Sequence, residues 1–280
     1  MLISLLLTIF SPLAVSAYAS VAPLIPTVTD EPENQIRCVA DGVDYNGSFI
    51  LINDTSYVSL REFSDFVGGT VVSWDGQTST ASVRSKDLSL SVKADSELIE
   101  ANGRALWCEY GSFISDGRIY VPLRVTARAF GFDCCYDADN KTVFLTRKEA
   151  AIESGDSFYN ADELYWLSRI INAEAGAEPF YGKLAVGSVI VNRTRSDEFP
   201  DGIVEVIFDT ENGVQFSPVS NGTIYDSPDE DSVIAAKLTL EGVSVSDDAI
   251  YFLNIELAKS LWIVNNCRYV MTIGSHDFYA

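Results

Sequence analysis

The feature that most constrains the fold of this sequence is an internal repeat in the first half of the chain. Residues 56–83 (SYVSLREFSDFVGGTVVSWDGQTSTASV) align with residues 119–145 (IYVPLRVTARAFGFDCCYDADNKTVFL). Both copies read as a strand, a short helix that carries Leu-Arg, a glycine, and an aromatic-Asp turn into an alternating strand. Two such copies predict one small α+β domain over residues 41–147.

The repeat resembles the copper amine oxidase N-terminal-like domain, whose sequence pattern is VPLR, then LG, then V.WD, then TV. The matched positions are residues 57–61 with 120–124, Gly68 with Gly131, and Trp74-Asp75 with Tyr136-Asp137. In the first copy Ser59 stands in place of the usual proline. The resemblance implies a wall-attachment module or a spacer. It does not imply copper, because the segment contains no histidine and no Cu(II) ligand arrangement.

The chain has a single histidine, His276, which limits the catalytic mechanisms open to it. A zinc amidase or metallopeptidase normally needs two or three histidine ligands, and a Ser-His-Asp or Cys-His hydrolase would have to use His276 itself. We therefore expect chemistry based on carboxylates, with no metal and no cofactor. The five cysteines are scattered and odd in number, so they predict no disulfide framework: Cys38, Cys108, Cys134, Cys135 and Cys267.

The chain is strongly acidic, with a formal net charge of −21. Nucleic acid is excluded as a partner, because a phosphate backbone is bound by Lys and Arg. Hydrophobic residues make up 47% of the chain, which excludes a disordered protein and is enough for two cores.

Residues 1–19 predict a secretory signal peptide. The apolar run Leu2 to Phe10 is short, Pro12 interrupts it, and Ala17-Tyr18-Ala19 has the small-x-small pattern of a cleavage site. The basic n-region is missing, since no Lys or Arg precedes Arg37. A membrane span is disfavoured by the same short run, and none is expected in the mature protein. We expect a secreted protein of the cell wall or spore envelope.

Two polar stretches, residues 20–40 and 148–160, predict linkers, and residues 161–280 predict a second, mainly helical domain with a small β element. The fold class is therefore α+β with two domains. A capping box at Ser227 to Glu230, with Pro228 at the first helical position, predicts the start of one helix. Residues 249–254 and 269–280 predict late strands.

Glu174 lies in line with an apolar helical stripe, one turn beyond Ile170 and two turns beyond Leu167. Gly176 predicts the end of that helix, where the macrodipole disfavours negative charge. Burial and the helix end both raise the pKa of a carboxyl group, as a glycosidase requires of its proton donor. From these facts alone, a structural glutamate paired with Arg169, Lys183 or Arg193 fits as well.

Residues 161–280 resemble the SleB/CwlJ family of cell wall hydrolases. The family's Glu-Ala-x-Gly-Glu-Pro helix end and its G..AV..VI.NR helix correspond to residues 174–179 and 182–193. The remaining matches are Gln215-Phe216 before Gly222, Ala249-Tyr251-Phe252-Asn254, and Ile273-Gly274-His276-Phe278-Tyr279. One departure is Gly176-Ala177, where the family has a bulky or basic residue followed by glycine.

The resemblance implies a lysozyme-like domain with Glu174 as the catalytic acid. It implies peptidoglycan as substrate, cut at the β-1,4 bond between N-acetylmuramic acid and N-acetylglucosamine. Residues 41–147 would then attach the enzyme to the wall. A role in spore germination is also implied by the family, although the sequence does not require it.

A simple hydrolase needs a second carboxylate across the bond. Glu178 points either into the cleft or out of it, and the loop acids Asp209 and Glu211 have no stronger claim. One acid is enough if the 6-hydroxyl of the sugar attacks the anomeric carbon, which is the lytic transglycosylase route and the one we favour. In that route Glu174 first donates a proton and then accepts one.

The expected substrate-binding residues are Glu178, Gln215, Phe216, Tyr251 and His276. Each has a structural alternative: a loop-pairing glutamate, a surface turn, core aromatics, or a histidine bonded to backbone. Two other functions stay open for the whole chain. One is a wall-binding protein whose domain lost activity through Gly176-Ala177, and the other, less favoured, is an N-acetylmuramoyl-L-alanine amidase.

Overall fold

The computed structural model describes residues 36–148, 150–211 and 214–280 of the chain. Its N-terminal part is β-rich and its C-terminal part is mainly helical with a small sheet, which confirms the α+β prediction. The N-terminal elements are β1 (Arg37–Ala40), β2 (Val43–Asp44), β3 (Phe49–Ile52), β4 (Thr55–Ser59), α1 (Leu60–Val67), β5 (Val71–Asp75), β6 (Thr80–Arg84), β7 (Ser89–Lys93), β8 (Leu98–Ala101), β9 (Arg104–Trp107), β10 (Phe113–Ser115), β11 (Arg118–Pro122), α2 (Leu123–Ala129), β12 (Phe132–Asp137) and β13 (Thr142–Arg147).

The two repeat copies meet through the same strand in each copy. β4 and β11 pair antiparallel, with Val58 opposite Val121 and Tyr57 opposite Pro122. Val58 and Val121 occupy equivalent positions in the alignment, so this pairing relates the copies by a local twofold. β3 and β10 extend the sheet on its two sides in the order β10-β11-β4-β3.

The short helices of the repeat begin in two different ways. Ser59 caps α1, because its side-chain oxygen accepts a hydrogen bond from the backbone N–H of Glu62 at 3.4 Å. Pro122 holds the same position before α2 and makes no side-chain cap. The leucines that follow, Leu60 and Leu123, are both buried in the core. Serine at this position therefore keeps the helix start that proline provides in the second copy.

The remaining N-terminal strands form two further sheets, β5-β6-β7-β8-β9 and β12-β13-β1-β2. β1 pairs parallel with β13, with Val39 opposite Phe144, and Val39 is buried. β1 lies inside residues 20–40, for which the sequence predicts a linker, so that prediction was wrong for its last residues. The four residues of β1, Arg-Cys-Val-Ala, do not alternate polar and apolar side chains, which explains the error.

The C-terminal part is built on three packed helices, α4, α5 and α8. Its elements are α3 (Gly155–Phe158), α4 (Ala161–Ala175), α5 (Phe180–Arg193), α6 (Ile203–Ile207), α7 (Ser217–Asn221), a 3₁₀ turn (Thr223–Tyr225), α8 (Glu230–Leu240), β14 (Tyr251–Leu253), α9 (Trp262–Asn266), β15 (Tyr269–Ile273) and β16 (His276–Tyr279). α5 is buried on nearly all sides, as its composition predicts. The late strands pair in the order β14-β16-β15.

α8 begins two residues later than the sequence predicts. Asp229 is its N-cap and accepts a hydrogen bond from the N–H of Ser232 at 2.7 Å. Asp229 also receives the buried Lys183 ammonium at 2.5 Å, and its own N–H donates to the side-chain oxygen of Asn172. The predicted cap at Ser227 was therefore wrong, because contacts with α4 and α5 select Asp229 and a single sequence window does not reveal them.

Residues 148–160, which the sequence predicts to be a linker, contain a helix and a buried tyrosine. The hydroxyl of Tyr159 accepts a hydrogen bond from the N–H of Ala105 and donates one to Glu241, both at 3.1 Å. Beside it, Arg104 of β9 donates two hydrogen bonds to Glu241, at 2.6 and 2.7 Å. Both charged side chains are almost fully buried. The segment is thus packed at a contact between the N-terminal and C-terminal parts.

The predicted signal peptide and most of the predicted linker over 20–40 lie outside the described residues. Within the described ranges, no helix combines the length and hydropathy that crossing a bilayer requires. All five cysteines are free thiols, and Cys38 and Cys108 are buried.

Candidate active site

Glu174 is one residue from the end of α4, and its side chain is half-buried. Removal from water raises the pKa of its carboxyl from the ordinary 4.5 to about 7, although the nearby Arg193 guanidinium opposes this shift. The helix C-terminus also disfavours negative charge at this position. A carboxyl whose pKa is raised in this way is partly protonated at neutral pH, which suits a group that both gives and takes a proton.

Gly176 ends α4 for a steric reason. Its backbone remains right-handed, with φ at −58°, so it is not needed for a left-handed turn. A Cβ at this position would lie 2.5 Å from the carbonyl oxygen of Asn172. With the backbone in this position, a larger residue would have to displace that carbonyl, whereas glycine fits without strain. The departure Gly176-Ala177 noted in the sequence is therefore compatible with the local backbone.

Arg193, at the end of α5, is the buried cation of this site. Its side chain donates to the carbonyl oxygen of Ile250 at 2.7 Å and, more weakly, to the side-chain oxygen of Gln215 at 3.5 Å. Burial lowers the pKa of Arg193 to about 10, and this shift is opposed by Tyr251, Asp209 and Glu174. Its guanidinium faces three aromatic rings at 4.6 to 5.6 Å, those of Phe199, Phe216 and Tyr251.

The groups around Arg193 include one acid that the sequence did not favour. Asp209 lies in the loop after α6, is half-buried, and acts electrostatically on Arg193 together with Glu174. From the sequence, Asp209 could be recognised only as an acid in a loop, because no sequence pattern links residue 209 to residue 174. The Asn192-Arg193 pair at the end of a buried helix was the available signal for this cluster.

Glu178 is held by the β15–β16 turn. Its carboxylate accepts a hydrogen bond from the N–H of Ser275 at 2.9 Å and another from the Ser275 hydroxyl. Burial alone would raise its pKa, but these hydrogen bonds outweigh burial and the pKa is lowered. Gly274 has φ +59°, and a Cβ there would collide with the Glu178 carboxylate. Glu178 is an ionised carboxylate that fastens the hairpin to the loop after α4.

Three of the predicted binding residues surround Arg193, namely Gln215, Phe216 and Tyr251. Phe216 is 2% exposed and packs among the core aromatics, which leaves little of its surface for a ligand. Tyr251 is half-buried, and its hydroxyl donates to Glu198 at 3.2 Å. Gln215, also half-buried, contacts Arg193 as described above. The structure thus brings Glu174, Gln215 and Tyr251 together through one arginine.

His276 lies in the core rather than on an open wall. It is 7% exposed, and its ring packs against Phe252 with centroids 5.3 Å apart. Burial lowers the pKa of His276, against the opposing effect of Glu178 and Asp277. Its Nδ1 atom makes no hydrogen bond in the described part of the chain. The sequence alternative of a histidine bonded to backbone is therefore not seen at Nδ1.

The arrangement suits proton transfer by a carboxyl group beside a fixed positive charge. No cluster of three or more His, Cys, Asp or Glu side chains among the described residues is placed to hold a metal ion. A neutral Glu174 can donate a proton, and the carboxylate that remains is then stabilised by the Arg193 charge across a site of low dielectric.

Comparison with known protein families finds one match in each half of the chain. Residues 177–279 match a family described as Cell Wall Hydrolase, and residues 40–145 match the copper amine oxidase N-terminal domain. Both resemblances found in the sequence are confirmed. The first match begins three residues after Glu174, so it does not itself include the proposed acid.

Two curated relatives carry the name spore cortex-lytic enzyme. The protein of Halalkalibacterium halodurans is 35% identical over 133 residues, which is 46% of this chain and 39% of that protein. The protein of Bacillus subtilis is 31% identical over 140 residues, covering 50% of this chain and 45% of that protein. The chain thus spans less than half the length of these relatives.

Two solved structures also match. The catalytic domain of the germination-specific lytic transglycosylase SleB from Bacillus anthracis is 29% identical, with a TM-score of 0.41, and the match covers 46% of this chain and all of that domain. The catalytic domain of the Bacillus cereus SleB protein is 30% identical, with a TM-score of 0.40, covering 44% of this chain and 92% of that domain.

Proposed function

Because the chain carries a cell wall hydrolase domain, we propose that it cleaves peptidoglycan at the β-1,4 bond between N-acetylmuramic acid and N-acetylglucosamine. The name shared by its curated relatives, spore cortex-lytic enzyme, supports peptidoglycan as the substrate class. We place the protein outside the cell, at the wall or spore envelope.

The observation that carries the proposal is the position of Glu174, half-buried one residue from the C-terminal end of α4, where burial raises the pKa of its carboxyl. In the first step the neutral carboxyl of Glu174 donates its proton to the glycosidic oxygen, and the bond from that oxygen to C1 of N-acetylmuramic acid breaks. The leaving sugar departs as an alcohol, while positive charge develops at C1 and its ring oxygen. Arg193 stabilises the resulting Glu174 carboxylate.

In the second step the 6-hydroxyl of the same N-acetylmuramic acid attacks C1 and forms a 1,6-anhydro ring. The Glu174 carboxylate accepts the proton that this hydroxyl loses, which restores the neutral acid. No water is consumed, so the reaction is a lytic transglycosylation. One carboxyl group performs both transfers, and its pKa of about 7 allows either form to be populated.

The hydrogen bonds that Glu178 accepts from Ser275 favour transglycosylation over hydrolysis. Its two carboxylate oxygens receive the hydroxyl and N–H of Ser275, so they are already committed to a structural turn. If water were the nucleophile, Asp209 would be the better second carboxylate, because it is half-buried beside Arg193. Hydrolysis at the same bond is the second candidate outcome.

The N-terminal repeat domain is proposed to hold the enzyme to its insoluble substrate. The buried Arg104–Glu241 pair and the Tyr159 hydrogen bonds fix β9 against α8. Because the two parts are fixed to each other, the catalytic part can reach only those glycosidic bonds that lie at a set distance from the point where the N-terminal domain is attached.

The test compares clearance of purified peptidoglycan by the full chain and by Glu174→Gln. Glu163→Gln, in the first turn of the same helix, is the matched control. We expect Glu174→Gln to clear vegetative or cortex peptidoglycan at least about 100-fold more slowly, the usual contribution of a general acid, while Glu163→Gln retains the rate. Equal rates for the Glu174 variant and the unaltered chain would refute the role of Glu174. No clearance by any form would favour a wall-binding protein.

A further inference from the structure

A groove in the N-terminal part combines an exposed indole with two arginines. It is open to solvent and lies between α1, β5 and the start of β11. The side chains on which the argument rests are Arg61, Glu62, Trp74, Ala81 and Arg118. None of them belongs to the proposed active site.

Trp74 presents a flat apolar face to this groove. β5 is the edge strand of its sheet, and Trp74 is 45% exposed. Its partner across the ladder is Ala81 of β6, whose methyl group is too small to cover an indole ring. Large exposed aromatics at the rim of a groove are typical of binding surfaces, because they give contact area at low entropic cost.

The charged side chains that line the groove are Arg61, Arg118 and Glu62, which together carry one net positive charge in a chain of net charge −21. Arg118 lies 3.3 Å from one carboxylate oxygen of Glu62, whose other oxygen accepts the N–H of Ser48. Glu62 therefore orients Arg118 without fully using its donors. Arg61, one residue before Glu62, is exposed and forms no ion pair within the described residues. Its guanidinium is available to an anion in the groove.

We propose that this groove binds the peptidoglycan glycan strand, with a sugar ring stacked on Trp74 and a carboxylate of the strand's acidic substituents held by Arg61 and Arg118. The inference rests on the proposed function, whose substrate it shares, and assigns it a second contact site. A neutral glycan would leave the two arginines unused, so the groove favours a glycan that carries carboxylates.

The second repeat copy supplies an internal comparison. Tyr136 corresponds to Trp74, has the same 45% exposure, and is accompanied by Arg124 in place of Arg61. The positions equivalent to Arg118 and Glu62 are Thr55 and Val125, so the second arginine and its orienting acid are missing there. Only the first copy has the complete set, and Tyr136 is a matched control for Trp74.

The experiment measures binding of the full chain to insoluble peptidoglycan and to chitin by sedimentation, with Glu174→Gln in every protein so that no substrate is cut. Chitin has the same β-1,4 linkage without carboxylates. We expect Trp74→Ala to weaken binding to both polymers about tenfold. Arg61→Ala should weaken binding to peptidoglycan alone, and this loss should fade at high salt. Tyr136→Ala should bind like the parent.

The inference is overturned if Trp74→Ala sediments with peptidoglycan as well as its parent, or if Tyr136→Ala loses as much binding. Failure of the proposed function is distinguishable. With Glu174 intact, the Tyr136→Ala control should cleave soluble peptidoglycan fragments at the unaltered rate. If no form cleaves them but the binding pattern above is found, the groove stands and the enzymatic proposal fails.

Discussion

Glu174 and Arg193 lie on consecutive helices, and the guanidinium lowers the pKa of the carboxyl, yet the two form no ion pair. The contrast with Arg104 is informative. Arg104 is equally buried but is neutralised by Glu241 through two short hydrogen bonds. Arg193 is held instead by a backbone carbonyl and aromatic rings.

This difference explains how Glu174 can remain protonatable. A direct ion pair with Arg193 would hold the carboxyl ionised and useless as an acid. The guanidinium is held by Ile250 and the rings instead, and at Glu174 the effect of desolvation exceeds that of the Arg193 charge, so the pKa is raised. The site thus has a positive charge near Glu174 while the carboxyl of Glu174 can still be protonated.

Replacing Glu174 should stabilise the protein at high pH. The folded-state pKa is about 7 against an ordinary 4.5, so the native state binds the proton more tightly than the unfolded state. The contribution of Glu174 to the free energy of unfolding is therefore complete below pH 4.5, and it is lost as the pH rises through about 7. We expect Glu174→Gln to gain roughly 1–3 kcal/mol over the unaltered chain at pH 8 and little at pH 4.5. Urea unfolding at both pH values measures this, and an equal effect at both would contradict it.

Removing the charge of Arg193 should move the pH dependence of cleavage. Since Arg193 lowers the pKa of Glu174, Arg193→Met should raise that pKa further and shift the alkaline limb of kcat/KM to higher pH. The maximal rate should fall, because the Glu174 carboxylate loses its stabilising charge. Arg193→Lys retains a cation and should shift the limb less. A limb that stays in place, or moves to lower pH, would show that the two groups are not coupled.

Glu178 should act on stability rather than on chemistry. Its lowered pKa means that it stabilises the fold above its ordinary pKa of 4.5, and that this contribution is lost as pH falls through the folded value. Glu178→Gln and Ser275→Ala should each cost about 1 kcal/mol at pH 7, and the double variant less than their sum. Cleavage should stay within a few-fold of the unaltered rate. A loss as large as that of Glu174→Gln would make Glu178 catalytic.

Breaking the Arg104–Glu241 pair should be far costlier than breaking a surface pair. Glu241→Ala leaves a buried guanidinium without its counter-ion, so we expect a loss of about 3–5 kcal/mol. Asp248→Ala, which breaks the exposed pair with Arg268, is the control and should cost less than about 1 kcal/mol. Calorimetry measures both. Similar losses in the two variants would mean that the contact between the domains is not buried in solution.

The sequence predicted the elements whose evidence is local. The end of α4 near Gly176, the burial of α5 and the two repeat copies follow from residue type and periodicity alone. The start of α8 at Asp229 did not, because it depends on Lys183 and Asn172 from other helices.

The candidate site divides in the same way. Glu174 could be found from its place on a helical stripe, since burial and a helix end act on one residue. The residues around Arg193 could not be predicted from the sequence. Asp209, Gln215 and Ile250 come close to Arg193 only through tertiary packing. For Glu178, the deciding partner is 97 residues away, which no local pattern reveals.

The most direct test of the central claim is mass spectrometry of the soluble products released from purified peptidoglycan in ¹⁸O-labelled water, beside a Glu174→Gln control. The account predicts muropeptides that end in 1,6-anhydro-N-acetylmuramic acid, carry no ¹⁸O, and are absent from the control. Reducing ends that carry ¹⁸O would contradict the transglycosylase route and make water the nucleophile, with Asp209 as the acid to replace next. Products from the Glu174→Gln chain equal to those of the unaltered chain would contradict the role of Glu174 itself.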